Sequence, residues 1–495
     1  MNEKSDKTRD RSSPGRRTNR TQSALIKVGG AEVIAKGCQM ARTMIVARYL
    51  TKEMVGIAST ITLVVDFLER VFSPHTGMVI VQDPKGGSGH FRRTLQSIMT
   101  IRGLLFGALI MLCSVPLAIM NDLDSRVYVA AFIVIGLVPV INGFTNIDIS
   151  RQYRNRQYGG VTTHTITREV GALVVAIILC LVMTTFWVPV LVRVFAAVIA
   201  LAASFWLARR RFTYGWSNSD ARRIVLFLAP LIGAGLIVFL GGQGPRQLIS
   251  AAKEWFDQDK YTFAMLGGYV MAMTASNIPA NIGGSLIQKS WAPKLARLRD
   301  EPAKFQKTFC VVQRFATSIG MASLVLLSAG TVWMVVLFAE RYASAGPILA
   351  MFAFKTSIRI STVGIRCSIL SLGRSSYVMY MNIGGLLGPI GASWVIIQGG
   401  SLVEIAFWIT MGELLSSIIG NLLLKKCMPS VRVWDVWVIP LLMIGAGALI
   451  GYLQAPLIEG LNKYIAACIV IGITGISLIG CLVIFPEIRP RRLKR

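Results

Sequence analysis

Three cations, Lys355, Arg359 and Arg366, interrupt one apolar stretch of this sequence. Read as a helix, their spacing sets them within about 40° of one face at about 100° per residue, with Thr362 on the same face, and the stripe rises ~16 Å. Guanidinium and ammonium groups aligned in this way suit phosphate oxygens. The expectation is one wall of a water-filled cavity that binds an anionic substrate. The simpler alternative pairs Lys355 with a carboxylate elsewhere and lets Arg366 snorkel to a nearby interface.

Other ionisable residues lie in apolar surroundings, where each costs about 2.5 to 3.5 kcal/mol unless it faces a cavity or a partner. Lys27, Glu32, Lys36 and Arg42 stand among the small residues Gly29, Gly30, Ala31, Ala35 and Gly37. Lys36 and Arg42 are substrate-binding candidates; a Glu32 to Lys36 pair, one turn apart, would instead make this a self-neutralised structural helix. Asp66 and Arg70 have the same spacing, with Glu69 beside them, and read either as a structural ion pair or as carboxylates for a coupling proton or sodium ion. Glu32 and Glu413 are further candidates for ion coupling. Arg246 and Arg314 could extend the basic surface, and Arg246 joins the substrate-binding set.

Three further motifs fail in context. The Gly86-Gly87-Ser88-Gly89 loop lacks the GxxxxGK[ST] phosphate cradle. Asp122-Leu123-Asp124 has the carboxylate spacing of a metal-dependent glycosyltransferase but occupies a short turn with no domain around it. His75, His90 and His164 are dispersed, and the eight cysteines show neither CxxC nor metal-ligand spacing, so they read as small buried hydrophobes. No metal site, cofactor or catalytic residue is expected, and the chain does not read as an enzyme.

The elements that must position these groups follow from composition. Of 495 residues, 54% are hydrophobic and 15% charged, with a net charge of +28, whereas soluble domains carry about 25% charged residues. Runs such as Gly103 to Met120, Ile224 to Leu240, Ile319 to Phe338 and Ala466 to Phe485 approach or exceed the ~18 residues of a spanning helix. They show no barrel-strand alternation, so the fold expected is an all-α integral membrane protein. Spans are read at about 23–47, 54–80, 96–120, 127–148, 165–185, 187–208, 222–243, 261–288, 309–339, 344–371, 376–398, 402–424, 434–454 and 463–485. That makes about 14 transmembrane helices.

Charge alternates between the connections. One set carries the basic tail, Lys85, Arg92, Arg93, Arg151, Arg154, Arg156, Arg209 to Arg211, Arg222, Arg223, Lys289 to Lys307, Arg374, Lys425, Lys426 and Arg489 to Arg495. The other holds Asp122 and Asp124, the near-neutral turns at Thr185 and Gly400, the mixed Lys253 to Lys260 loop, and Gln454 to Asn462, with Arg48 and Lys52 as exceptions. The basic set should be cytoplasmic, which places both termini there and makes nucleic acid an unsuitable partner. The expected organisation is a disordered basic tail over 1–22, a six-helix lobe over 23–208, a basic cytoplasmic linker over 209–223, a second six-helix lobe over 224–424, two further helices within 434–485 and a basic tail over 486–495. Two equal lobes without a soluble domain suit a transporter whose site lies between helix bundles.

Ala47-Arg48-Tyr49-Leu50-Thr51-Lys52-Glu53-Met54-Val55-Gly56 is similar to an ARxLxPxxxG segment, with Lys52 where the proline falls. Asn146 to Gln157, with Arg151 and Arg154, resembles a basic segment after a fourth helix, and Trp291-Ala292-Pro293-Lys294-Leu295 a proline-containing loop after an eighth. By these stretches the chain resembles the polysaccharide-transporter, or Wzx-type flippase, branch of the multidrug/oligosaccharidyl-lipid/polysaccharide exporter superfamily. It departs from the pattern at Gln243 to Gln247, where Arg246 stands in place of an acidic residue. The resemblance implies two six-helix lobes around a central cavity that rock between inward-open and outward-open states.

It also implies the substrate, a polyprenyl-pyrophosphate-linked oligosaccharide repeat unit flipped across the bacterial inner membrane for exopolysaccharide, capsule or O-antigen synthesis. Membrane lipids, a polysaccharide polymerase and export machinery are the other partners implied. The alternatives are a multidrug exporter of the same superfamily, for which acidic cavity residues are expected, and a membrane-embedded polysaccharide polymerase, for which a large outer loop is expected.

Overall fold

The computed structural model describes residues 14–72, 79–80, 83–123, 125–155, 157–210, 212–429 and 434–485; the side chains of 14–29 and of a few later residues, Arg70 and Lys289 among them, fall outside the description. The described residues form helices joined by short turns, with no strand among them. His75, Asp124, Arg156, Arg211 and the terminal basic residues, on which expectations rested, lie outside the described residues.

The first part of the chain forms α1 (Pro14–Tyr49), α2 (Lys52–Phe72), α3 (Gly89–Leu112), α4 (Ser114–Ile119), α5 (Arg126–Ile135), α6 (Leu137–Gly143), the short α7 (Asp148–Arg154), α8 (Tyr158–Val182) and α9 (Trp187–Trp206). The second forms α10 (Asn218–Ser250), the short α11 (Ala252–Phe256), α12 (Phe263–Arg297), α13 (Pro302–Ser328), α14 (Gly330–Phe338), α15 (Gly346–Ser371), α16 (Ser375–Gly384), α17 (Leu387–Ile397) and α18 (Leu402–Cys427). Last come a π-helical turn at Trp434–Val438, α19 (Ile439–Ile458) and α20 (Lys463–Ile484). Among the described residues, ten segments are long and apolar enough to cross a membrane; the expected count of about 14 would add α1, α2, α10 and α12, which carry more charged and small residues.

Local chemistry sets the ends of these helices. Ser88, Ser125 and Thr262 accept hydrogen bonds from backbone N–H groups of α3, α5 and α12, and Ser401 with Glu404 makes a reciprocal capping box on α18. Four expected single spans are broken, the one over 309–339 at Ala329 and three others near prolines. Those three, at Cys113, Gly136 and Gly385 to Leu386, lie three or four residues before Pro116, Pro139 and Pro389, which cannot donate the hydrogen bond that would continue the helix. At the N-terminus the sequence expectation was wrong in the other direction: residues 14–22, read as disordered tail, belong to α1. Likewise 218–223 of the expected linker begin α10.

Packing separates two groups of helices. In one, α1 lies along α8, α8 along α9, and α9 meets α2, α5 and α6. In the other, α15 is central and packs against α12, α13 and α18, while α18 also carries α16 and α17. Helix α10 touches both, through α2 and α3 on one side and α17 on the other, and α19 and α20 lie against α13. The groups also meet where α2 crosses α12. There a Cβ on Gly56 would strike the Phe263 carbonyl, and one on Gly267 the Lys52 carbonyl, so the crossing exists because both positions lack a side chain.

At the end of the bundle that holds most of the basic connections, Asp148 organises the loops. Its side chain is 2% exposed and accepts hydrogen bonds from Arg151 Nε at 2.5 Å, the Arg209 backbone N–H at 2.9 Å and Gln152 Nε2 at 3.3 Å. Burial alone would raise its pKa; the hydrogen bonds from Arg151, the Arg209 amide and Gln152, with the charge of Arg151, outweigh that and hold the carboxyl below its usual range. Arg154 donates to the carbonyls of Ile80 and Asp83, and Arg223 Nε donates to Asp83 Oδ2 at 2.7 Å.

Candidate functional site

The α15 stripe lies inside the second helix group. Lys355 is 6% exposed, its Nζ sits 5.0 Å from the centre of the Phe352 ring, and among the described residues it has neither a carboxylate within salt-bridge distance nor a hydrogen-bond acceptor. Arg359, one turn on, is half-buried and equally without an ion pair or hydrogen bond. Arg366 meets Glu413 of α18, with Nη2 4.0 Å from Oε1. Thr362 does not extend this polar surface: it is 1% exposed and donates to the Ile358 carbonyl of its own helix at 2.7 Å. The alternative in which Lys355 finds a carboxylate partner is therefore not what the described residues show.

The first helix group holds a different arrangement, in which cations and carboxylates are matched. Asp66 of α2 is paired with Arg193 of α9 and lies 3.5 Å from Arg246 Nη1 of α10. Glu69 lies 3.9 Å from Arg193 Nη1 and accepts a hydrogen bond from Asn142 Nδ2 at 3.0 Å. The guanidinium of Arg246, 5% exposed, also donates to the Ser59 carbonyl and to Gln243 Oε1 at 3.3 Å. Nearby, Arg42 of α1 donates to Glu169 of α8 at 3.4 Å, and Arg193 stands within the electrostatic reach of both Arg42 and Arg246.

These contacts correct several expectations. Asp66 reaches across the bundle to Arg193 and Arg246; the side chain of Arg70, its expected local partner, lies outside the description. A pair one turn apart on a single helix contributes only about 0.2 to 0.5 kcal/mol. Buried charges instead need partners and extra hydrogen bonds from neighbouring helices to offset desolvation. Lys36 is exposed and donates to Gln39 at 3.2 Å. Arg42 and Arg246 are held by carboxylates, and Arg314 is held by the buried Asp435 at 2.8 Å, so none of the three presents a free basic surface. Of the eight cysteines only Cys180, Cys367 and Cys481 are buried. Asp122 pairs with Lys253 at 2.8 Å, and His164 bonds the Ala200 carbonyl at 3.0 Å. No cluster among the described residues could hold a metal ion.

Two residues of the first network, Arg193 and Glu169, are not among those singled out from the sequence. A signal was available: Arg193 is the one charge within the apolar run of α9, and the cost of burying it should have demanded partners.

Direct polar contacts between the helix groups cluster at the end opposite the basic loops. Arg48 Nη2 donates to the Val336 carbonyl at 2.7 Å, and Lys52 Nζ to Ser344 Oγ at 2.8 Å. In return, Arg341 donates to the carbonyls of Leu50 at 2.9 Å and Arg48 at 2.8 Å. With the α2/α12 crossing beside them, these contacts clasp that end shut.

The fold is shared with known transporters. A lipid II flippase, MurJ, in an inward closed conformation, is 12% identical, with a TM-score of 0.74 over 92% of this chain and 98% of that one. An inward-facing multidrug resistance transporter of the MATE family, in the MOP superfamily, is 12% identical, with a TM-score of 0.64 over 82% of this chain and 98% of that one. Comparison with curated protein sequences gives no significant match. A family described as "Polysaccharide biosynthesis protein" matches residues 45–347, more than half of the chain. This multi-pass membrane protein, with its MurJ- and MATE-like fold, therefore belongs to the polysaccharide biosynthesis protein family.

Proposed function

We propose that the protein flips a polyprenyl-pyrophosphate-linked oligosaccharide repeat unit from the cytoplasmic to the periplasmic leaflet of the bacterial inner membrane, for assembly of a surface polysaccharide. The observation that carries this reading is the unpaired state of Lys355 and Arg359. Arg42, Arg193, Arg246 and Arg314 all have carboxylate partners. Cations left without one inside a membrane protein suit an anionic ligand. A diphosphate entering hydrocarbon needs that compensation, whereas a polyprenyl tail can stay in lipid.

In this reading both termini and the basic loops face the cytoplasm. Residues 23–208 and 224–424 act as two lobes, with 434–485 appended. The clasp formed by Arg48, Lys52 and Arg341 then closes the periplasmic end, and access to Lys355 is from the cytoplasm. Transport requires the clasp to break and the adjacent α2/α12 crossing to part as the lobes rock, an alternating-access cycle. The carboxylates Asp66 and Glu69 are neutralised by Arg193 and Arg246, which leaves little to attract a cationic drug.

The test is to extract polyprenyl-pyrophosphate glycans and measure surface polysaccharide in cells lacking the protein, then in cells expressing Lys355→Ala or Arg359→Ala at normal levels. Complete repeat units should accumulate and polymer should fall in all three. Unchanged glycans in the deletion would overturn the function. A deletion phenotype rescued fully by both variants would overturn the site.

A further inference from the structure

Arg366 and Glu413 form a looser pair than most of those assigned above within the helices; Arg193 and Glu69 stand about as far apart, at 3.9 Å, but there Glu69 accepts a hydrogen bond from Asn142. Asp435 and Arg314 approach to 2.8 Å with a second hydrogen bond at 3.0 Å, and Glu169 and Arg42 to 3.4 Å. Arg366 and Glu413 stand 4.0 Å apart, and both Arg366 Nε and Glu413 Oε1 are buried without any hydrogen-bond partner. A half-buried guanidinium and carboxylate that stand within charge contact, with these two buried atoms unbonded, have not taken up the geometry that stabilises such a pair. Their contact is one that another ligand can replace.

The surroundings say which kind of ligand. Lys355 and Arg359 add two more cations on the same face of α15, and Glu413 is the carboxylate whose field reaches both Lys355 and Arg366. The other helices packed on α18 bring little charge: α16 contributes Tyr377 and Tyr380, and α17 has no ionisable side chain. On α18 itself, Glu404 caps one end, while Lys425 and Lys426 occupy the other. Glu413 is thus the local negative charge among three positive ones.

We propose that Glu413 is a built-in competitor for the α15 cations: it occupies Arg366 when the site is empty and weakens the hold on a bound diphosphate enough for release. The inference rests on the anion-binding reading given above and adds a role for this carboxylate within it. A diphosphate diester carries one negative charge on each phosphate. With Glu413 in place, such a head group brings the cluster to neutrality; without it, one cation would remain to grip the ligand. A carrier needs that restraint, because a site that binds too tightly does not let go.

The test measures binding of farnesyl diphosphate, with inorganic pyrophosphate as competitor, to the full-length protein in nanodiscs. Glu413→Gln should bind about tenfold more tightly than wild type, as expected for removing one like charge from beside the ligand in a partly screened interior. The same variant should support less polymer in cells. A merely structural carboxylate that holds Arg366 in place predicts weaker binding instead. Unchanged or weaker binding by a folded Glu413→Gln protein, while Lys355→Ala still weakens it, overturns this inference and leaves the anion site standing. No binding by wild type overturns both. Should Glu413→Gln fail to fold, Glu413→Asp draws the carboxylate back from Arg366 and should tighten binding a few-fold; looser binding would count against the proposal.

Discussion

Adding one methyl group at the helix crossing should shift the conformational balance of the whole protein. In Gly267→Ala the new Cβ would lie closer than 3.0 Å to the Lys52 carbonyl oxygen, whereas ordinary carbon to oxygen contacts begin at about 3.3 Å. That oxygen belongs to the backbone of α2 and cannot swing aside, so the helices must part by on the order of 1 Å. Overpacking of this kind costs about 1 to 3 kcal/mol. In the proposed cycle α2 and α12 part at this crossing when the clasp opens, so the cost falls on the shut state. At about 2 kcal/mol the ratio of shut to open molecules should fall roughly 30-fold. The check is a distance distribution between spin labels at Arg126 and Glu459, near that end, in a cysteine-substituted background. Gly267→Ala should populate a longer distance while keeping a native-like melting profile. An unchanged distribution in a well-folded variant would refute the claim that the crossing holds the protein shut.

Three other outcomes follow from the site and the loops. Arg193→Gln should destabilise the protein by about 1 to 3 kcal/mol, because Asp66 is left with only its longer contact to Arg246, and the double variant with Asp66→Asn should recover part of the loss in a thermal melt. Asp148→Asn should cost about 1 to 3 kcal/mol, since three donors lose a charged acceptor. Because the Asp148 carboxyl is held below its ordinary value of 3.8, its contribution is fully present above that pH and is lost as pH falls through the lower folded-state value. Acid titration of stability should therefore show a wild-type step in that window that Asp148→Asn lacks.

Much of the fold was legible in the sequence because length, apolarity and charge alternation are properties of whole segments. The helix breaks before Pro116, Pro139 and Pro389 were equally written there, in the missing N–H of each proline. The site was legible only in part. Lys355, Arg359 and Arg366 could be placed on one face because a single helix fixes their relation. The partners of Asp66 could not, since Arg193 and Arg246 come from helices well over a hundred residues away in the chain, and spacing rules see only the near neighbour Arg70. The ARxLxPxxxG-like segment stands out by its likeness alone; that Arg48 and Lys52 clasp the other lobe depends on Val336 and Ser344, which carry no signal of their own.

That last asymmetry bears on how the clasp can change over generations. Arg48 and Arg341 donate to main-chain carbonyls, of Val336, Leu50 and Arg48 itself, and a carbonyl is present whatever residue bears it. The acceptor positions are then free to drift in side chain so long as the backbone path persists, while the two arginines are not. Selection on the arginine contacts should be one-sided, with fixed donors and variable acceptors, which leaves Lys52 and Ser344 as the side-chain pair of the clasp at which compensating substitutions could link the two lobes.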